Sequence, residues 1–313
     1  MQPAFSVIFL TTLIGAAQGL FLALYGTELI GFGDLNQADS QRFLVNGSAV
    51  ALMLSTMGLV ASFFHLGRPE RAWRSAAMWR TSWLSREVIA LPVFMAGVFF
   101  YSGAHFLGWN NTRFVGAATV LACIALFICT AMIYASVRFL QEWASPLTLI
   151  NYVLLGSASG LMLATLLASL SGLSAMVHPY ALATTALTLL AWITRGASLV
   201  RNARLRPKST LQSAIGIKHP RIVQKAQGFM GGSFNTREFF HGRSPEMLLT
   251  VKWGFLLLVF PLPLMFMALG VVAASREMLF IAFATQYFGL LAERWFFFAQ
   301  ANHPQNLYYQ NIS

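Results

Sequence analysis

The chain has 313 residues, of which 57% are hydrophobic and only 10% charged, with a net charge of +11 and a mean hydropathy of +0.63. Soluble domains carry about 25% charged residues, so this composition excludes a soluble fold and indicates a polytopic membrane protein. The basic residues are placed unevenly, a pattern that reports membrane orientation rather than nucleic-acid binding.

A membrane-spanning helix needs about 20 mainly apolar residues. That rule predicts eight spans, at about 5–30, 43–65, 84–107, 114–136, 148–170, 178–200, 247–274 and 277–300. The expected fold is therefore an all-α bundle of eight transmembrane helices, with residues 1–313 forming a single integral membrane domain. The first stretch, Met1-Gln2-Pro3-Ala4-Phe5, lacks the basic region of a signal peptide, so the run behind it reads as an uncleaved span. Cys123 and Cys129 share one apolar run and read as two buried thiols. Gly156 and Gly160, with nearby Ser and Ala, give the fifth span a small-residue face suited to close helix packing. Pro261 and Pro263 interrupt the seventh span, and only Ser275, Arg276 and Glu277 separate it from the eighth. The connection 201–246 is long and basic and contains Gly231-Gly232. It reads as a cytoplasmic loop, too short for a domain of its own.

Eight spans put both termini on one side. That side also receives Arg68, Arg71, Arg74, Arg80 and Arg86 in the second connection, Arg138 in the fourth, and nine basic residues in the sixth, from Arg201 to Arg243. The opposite side has Arg42, Arg113 and Arg276. Fifteen basic residues against three place the first side, with both termini, in the cytoplasm.

The densest charge before residue 200 lies in the hairpin 63–87. Phe63-Phe64-His65-Leu66-Gly67-Arg68-Pro69 ends one apolar run, and Ser82-Trp83-Leu84-Ser85-Arg86-Glu87 opens the next. Gly67 and Pro69 are expected to stop the second span, and Ser82 or Ser85 to cap the third. The hairpin then holds His65 and Glu87 at one membrane face, towards the cytoplasm. Ionisable groups in or at the ends of spans are functional candidates; the others are Glu28, Arg195, Lys252, Glu293 and Arg294. Arg195 and Lys252 are expected to snorkel to the interface. Glu293 and Arg294 are adjacent on a helix and point about 100° apart, so each is expected to have a partner on another span.

A histidine, a carboxylate and arginines suit proton-coupled exchange with a lipid-soluble quinone. The histidine bonds one oxygen and exchanges a proton near neutral pH, the carboxylate passes that proton to water, and an arginine stabilises negative charge on an oxygen. The surrounding arginines are expected to hold Glu87 ionised. A bound haem would need two facing histidines; His105 and His178, both near the side opposite His65, are the pair that can meet. A secondary transporter is a further reading, because Pro261 and Pro263 break a span, but such folds pair two broken spans and the other half has none.

The stretch from Phe64-His65-Leu66-Gly67-Arg68-Pro69 and Arg71-Ala72 to Ser82-Trp83-Leu84-Ser85-Arg86-Glu87 resembles the membrane-anchor subunits of the dimethyl-sulfoxide-reductase type. The specific motif occupies this hairpin, and the similarity of span number covers nearly the whole chain. The resemblance implies an anchor in the bacterial inner membrane that binds quinone or quinol (ubiquinone or menaquinone) and carries no haem. It implies two partners, an iron–sulfur subunit with four clusters and a molybdopterin catalytic subunit, with lipid around the chain and no nucleic acid. The family's quinol-site histidine and glutamate match His65 and Glu87, with Arg68 and Arg86 as neighbours. In the reductases of enteric bacteria the histidine end lies on the periplasmic side, whereas the charge pattern here puts it in the cytoplasm. The anchors of cytoplasmic membrane-bound sulfite dehydrogenases share the resemblance and have that orientation. The expectation is thus a quinone-reducing anchor fed by sulfite oxidation, with a quinol-oxidising reductase anchor as the alternative.

Overall fold

A computed structural model describes residues 1–31, 37–206, 210–225, 243–304 and 306, and the described residues form helices and turns without strands. The long helices are α1 (Phe5–Ile30), α2 (Gln37–Phe63), α3 (Trp83–Phe106), α4 (Thr112–Ala135), α5 (Pro146–Leu170) and α6 (Ser174–Ala203). A short α7 (Leu211–Ile215) follows, then α8 (Pro245–Val259), α9 (Pro261–Val272) and α10 (Arg276–Ala299). Among the described residues, seven helical segments are long and apolar enough to cross a membrane, with Pro245–Val272 taken as one broken segment. The 24-residue α10 is not among the seven. It carries Arg276, Glu277, Glu293 and Arg294, which dilute its apolar character.

The most enclosed segment is α1, which packs against α2, α4, α5 and α10. Glycines explain its closest crossing. Gly15 and Gly19 of α1 meet Gly156 and Gly160 of α5, and a Cβ on Gly160 would overlap the backbone of Gly19 and Leu20. Two small residues one turn apart on each helix let the backbones touch, the usual basis of helix association in lipid. The pairing of 15 with 156 and of 19 with 160 also shows that α1 and α5 run parallel. The small-residue face expected in the fifth span is thus the packing surface for the first. Cys123 and Cys129 are buried as free thiols.

The break at Pro261 is where the sequence put it. Phe260 departs from ideal helical angles, with φ −111° and ψ −79°, and Pro261 opens α9; the proline ring removes a backbone donor and clashes with the preceding turn. Phe260 is buried and stacks on Trp192 at 5.6 Å. The chain then reverses through Ala273–Ser275, and α10 runs antiparallel to both pieces: Gly270 abuts Leu279, and Gly289 abuts Leu258 and Val259. Among the described residues α1 to α6 show no comparable interruption; Pro92 lies within α3 and the helix continues.

Two connections matter for function. Between α2 and α3, Pro69 does more than stop a helix: it opens an exposed 3-10 helix, Pro69–Ala76, because its fixed φ suits a first helical position. In the long connection, α7 begins with a capping box between Thr210 and Ser213 and ends at Gly216 with φ +73°, a left-handed cap that glycine adopts without strain. Residues 207–209 and 226–242, with Lys208, Gly231-Gly232 and Arg237, lie outside the described residues.

Candidate functional site

The first turn of α3 separates two neighbouring charges. Ser82 caps the helix, its hydroxyl accepting from the Ser85 amide at 3.4 Å, as the sequence suggested. From that start, Glu87, Leu91, Phe94 and Val98 fall on one face and are all buried, which is the spacing of a core stripe. Arg86 points elsewhere. Its Nε and Nη2 donate to the carbonyls of Trp79 at 2.9 Å and Arg80 at 2.7 Å, and its guanidinium lies 4.2 Å over the Trp83 ring. Arg86 therefore braces the 66–82 connection, and the hairpin arginines expected around Glu87 do not form a shell on its core side. One carboxylate oxygen of Glu87 accepts a hydrogen bond from Thr130 of α4.

Glu87 lines an internal cavity with Thr11, Gln18, Thr130, Tyr152 and Arg294, among others. The cavity leaves about 20 Å³ for the centre of a water-sized sphere, enough for one water and far too little for a quinone ring.

His65 lies just beyond the end of α2 and is exposed. The last α2 turn tightens through bonds from the amides of Phe64, His65 and Leu66 to the carbonyls three residues back. Partial burial lowers the pKa of the His65 imidazole below its usual 6.5, because a charged ring loses hydration there. No hydrogen bond joins His65 to Glu87 among the described residues. Next to His65, however, Phe64 borders an apolar groove between α1 and α2 with Phe9, Leu13, Met57 and Val60. Measured in the same way as the cavity, the groove offers about 530 Å³, within the range of small-molecule sites. Arg68 is exposed at the start of the 3-10 helix, where its carbonyl accepts from the Arg71 amide at 3.0 Å.

Two buried clusters were only partly legible in the sequence. Arg195 does not snorkel: it is 1% exposed and among the largest fully buried side chains. Its Nε lies 2.7 Å from Oε1 of Glu293, whose Oε2 is 3.6 Å from Nε of Arg294. Glu293 thus has the partner on another span that its helix position required. Arg294 lies 3.8 Å over the Tyr152 ring of α5. Lys252, by contrast, is half-buried, 5.3 Å from the Trp253 ring. At the other end of the bundle, Glu28 accepts from Tyr101 at 2.7 Å and from Thr112 at 2.5 Å, with His105 Nε2 at 3.4 Å. His105 is therefore engaged by a carboxylate on α1.

These features define a helical membrane protein with ionisable groups concentrated near the ends of its helices. The family model described as "DMSO reductase anchor subunit (DmsC)" matches residues 1–224, and the chain belongs to that family. Over 100% of both chains it is 54% identical to a sulfite dehydrogenase subunit of Allochromatium vinosum. The family match ends inside the long connection, and the full-length identity extends through α8, α9 and α10. The resemblance carried by the 63–87 hairpin is thereby borne out.

Proposed function

We propose that the chain is the quinone-reactive anchor of a molybdenum/iron–sulfur oxidoreductase, passing electrons from sulfite oxidation to quinone in a bacterial inner membrane. The observation that carries this reading is the full-length identity to a subunit of a sulfite dehydrogenase. The catalytic and iron–sulfur chemistry belongs to partner subunits: a molybdopterin subunit that oxidises sulfite and a four-cluster subunit that relays electrons. The anchor counts eight spans in this reading, with α10 as the eighth. Its antiparallel packing on α8 and α9 and its 24 residues, about 36 Å of helix at 1.5 Å per residue, support the count. The charge asymmetry of the loops supports a cytoplasmic location for both termini and the His65 end.

Quinone accepts two electrons and two protons. The groove lined by Phe64 suits its ring and tail, and His65, the next residue in the chain, is the group proposed to bond one oxygen. Burial lowers the pKa of the His65 ring, which favours the neutral form that has one nitrogen to donate and one to accept. Glu87, one helix away and inside the bundle, serves as a proton-holding group behind that site. Arg86 braces the 66–82 connection, and Arg68 adds positive charge there. The test uses membranes containing the whole complex. His65→Ala should abolish sulfite-to-quinone turnover while sulfite oxidation with a soluble dye continues. Normal quinone turnover in both His65→Ala and Glu87→Gln would overturn the site.

A further inference from the structure

Glu87 and the Arg195–Glu293–Arg294 triad share a buried region that no sequence pattern connects. The triad holds two cations and one anion, all at most 5% exposed, so it carries one surplus positive charge. Leaving such a charge uncompensated away from water is costly. The surplus sits on Arg294, because Glu293 is closer to Arg195 (2.7 Å) than to Arg294 (3.6 Å). Arg294 stacks on Tyr152 at 3.8 Å, and both residues line the cavity that Glu87 faces. The Tyr152 hydroxyl is buried, makes no close hydrogen bond among the described residues, and has the Tyr134 hydroxyl and the Arg294 guanidinium as polar neighbours. The cavity is large enough for one water and is lined by Glu87, Tyr152, Gln18 and Thr130, polar groups of the kind an internal water requires.

Among the described residues, the other elements around Glu87 offer no competing cation. On α4 the titratable groups within electrostatic reach are Cys129 and Tyr134, and on α5 Tyr152. The lengths of α1 and α2 level with Glu87 carry no charged side chain, and Arg86 on α3 itself is turned to the Trp79 and Arg80 carbonyls.

We propose that Arg294 is the counter-charge that allows Glu87 to release its proton inside the membrane, with Tyr152 and a cavity water solvating the carboxylate that results. Arg294 and Tyr152 are positioning residues in this scheme, and Arg195 with Glu293 hold Arg294 in place. The proposal deepens the quinone-anchor reading and rests on it for its biological use. Its geometry accounts for an otherwise unbalanced pair of buried arginines.

The experiment follows the carboxyl C=O infrared signal of Glu87 through a pH titration of the purified whole complex, assigned by its loss in Glu87→Gln. In Arg294→Gln the signal should persist to higher pH by about one unit, a tenfold change in proton affinity, and Arg294→Lys should restore the original titration. The acidic limb of sulfite-to-quinone turnover should move the same way. Should Arg294→Gln fail to assemble, Tyr152→Phe carries the test, with the titration again displaced upward. An unchanged Glu87 titration in the assembled Arg294→Gln variant, or in Tyr152→Phe where the former is lost, overturns the proposal. The infrared signal needs no quinone. Normal quinone turnover in His65→Ala and Glu87→Gln would therefore remove the functional reading and leave this test standing.

Discussion

Arg195 on α6 and Glu293 on α10 lie 2.7 Å apart with each residue 1% exposed, so an ion pair fastens the last long helix to the sixth inside the bundle. Glu293 is also the carboxylate facing Arg294, at 3.6 Å, so its loss leaves two buried arginines without a counter-ion, and stranding a buried charge costs about 3–5 kcal/mol. Glu293→Gln should therefore lower the thermal stability of the detergent-solubilised anchor sharply. Arg195→Met, which leaves Glu293 paired with Arg294, should lose much less. Melting curves of the two variants check this; equal losses would mean that charge balance is not the source of the effect.

The crossing of α1 and α5 gives a second expectation. Gly160 presses on the backbone of Gly19 and Leu20, and Gly19 on Gly156 and Ser157, so no flexible side chain can move aside. Gly160→Val should separate the helices and reduce folded protein in the membrane several-fold. Gly254→Ala, where a Cβ meets nothing within 4 Å, should leave the yield unchanged. Comparing membrane-inserted yields of the two variants separates packing from a general dislike of substitution.

His65 yields a prediction in pH. Its pKa is lowered from 6.5 by burial, so just below pH 6.5 the unfolded chain binds a proton that the folded chain does not. Stability from this group thus increases with pH through that window and is lost as pH falls, by a small amount because the ring is exposed. The measurable consequence is the ring's own titration, read by NMR of labelled histidine, with a midpoint below that of a free imidazole. A midpoint above 6.5 would show a stabilised cation and assign His65 a different role.

Topology is tested by reporter fusions after Ser313 and within 216–225. Both should report a cytoplasmic location if the basic-residue asymmetry sets orientation. A periplasmic C-terminus would move the histidine end to the other side and favour a quinol-oxidising reductase anchor.

In the proposed function, the basic connection between α6 and α8 is the expected platform for the iron–sulfur partner, with charge guiding its approach. Deleting 208–235 should release the soluble subunits and leave the anchor in the membrane. Unchanged retention on washed membranes would assign docking to another surface, the exposed 3-10 helix after α2 being next to test.

Much of this protein is legible in its sequence. Long apolar runs specify helices because lipid leaves a backbone no other way to satisfy its polar groups. Pro261 fixed the broken helix, Ser82 the start of α3, and the Gly156 and Gly160 spacing a close packing face, each through local backbone chemistry. The histidine-ended hairpin was enough to suggest the family. Tertiary structure alone decided where the charges point. Glu87 and Arg86 are neighbours in sequence, yet the 100° step of a helix sends one into the core and the other to backbone carbonyls. Arg195 read as an interfacial residue because a single sequence does not show that a carboxylate 98 positions later will meet it. Helical periodicity assigns residues to faces, but the partner across each face is set only when the helices pack. That step placed Arg294, Tyr152 and Glu87 around one cavity.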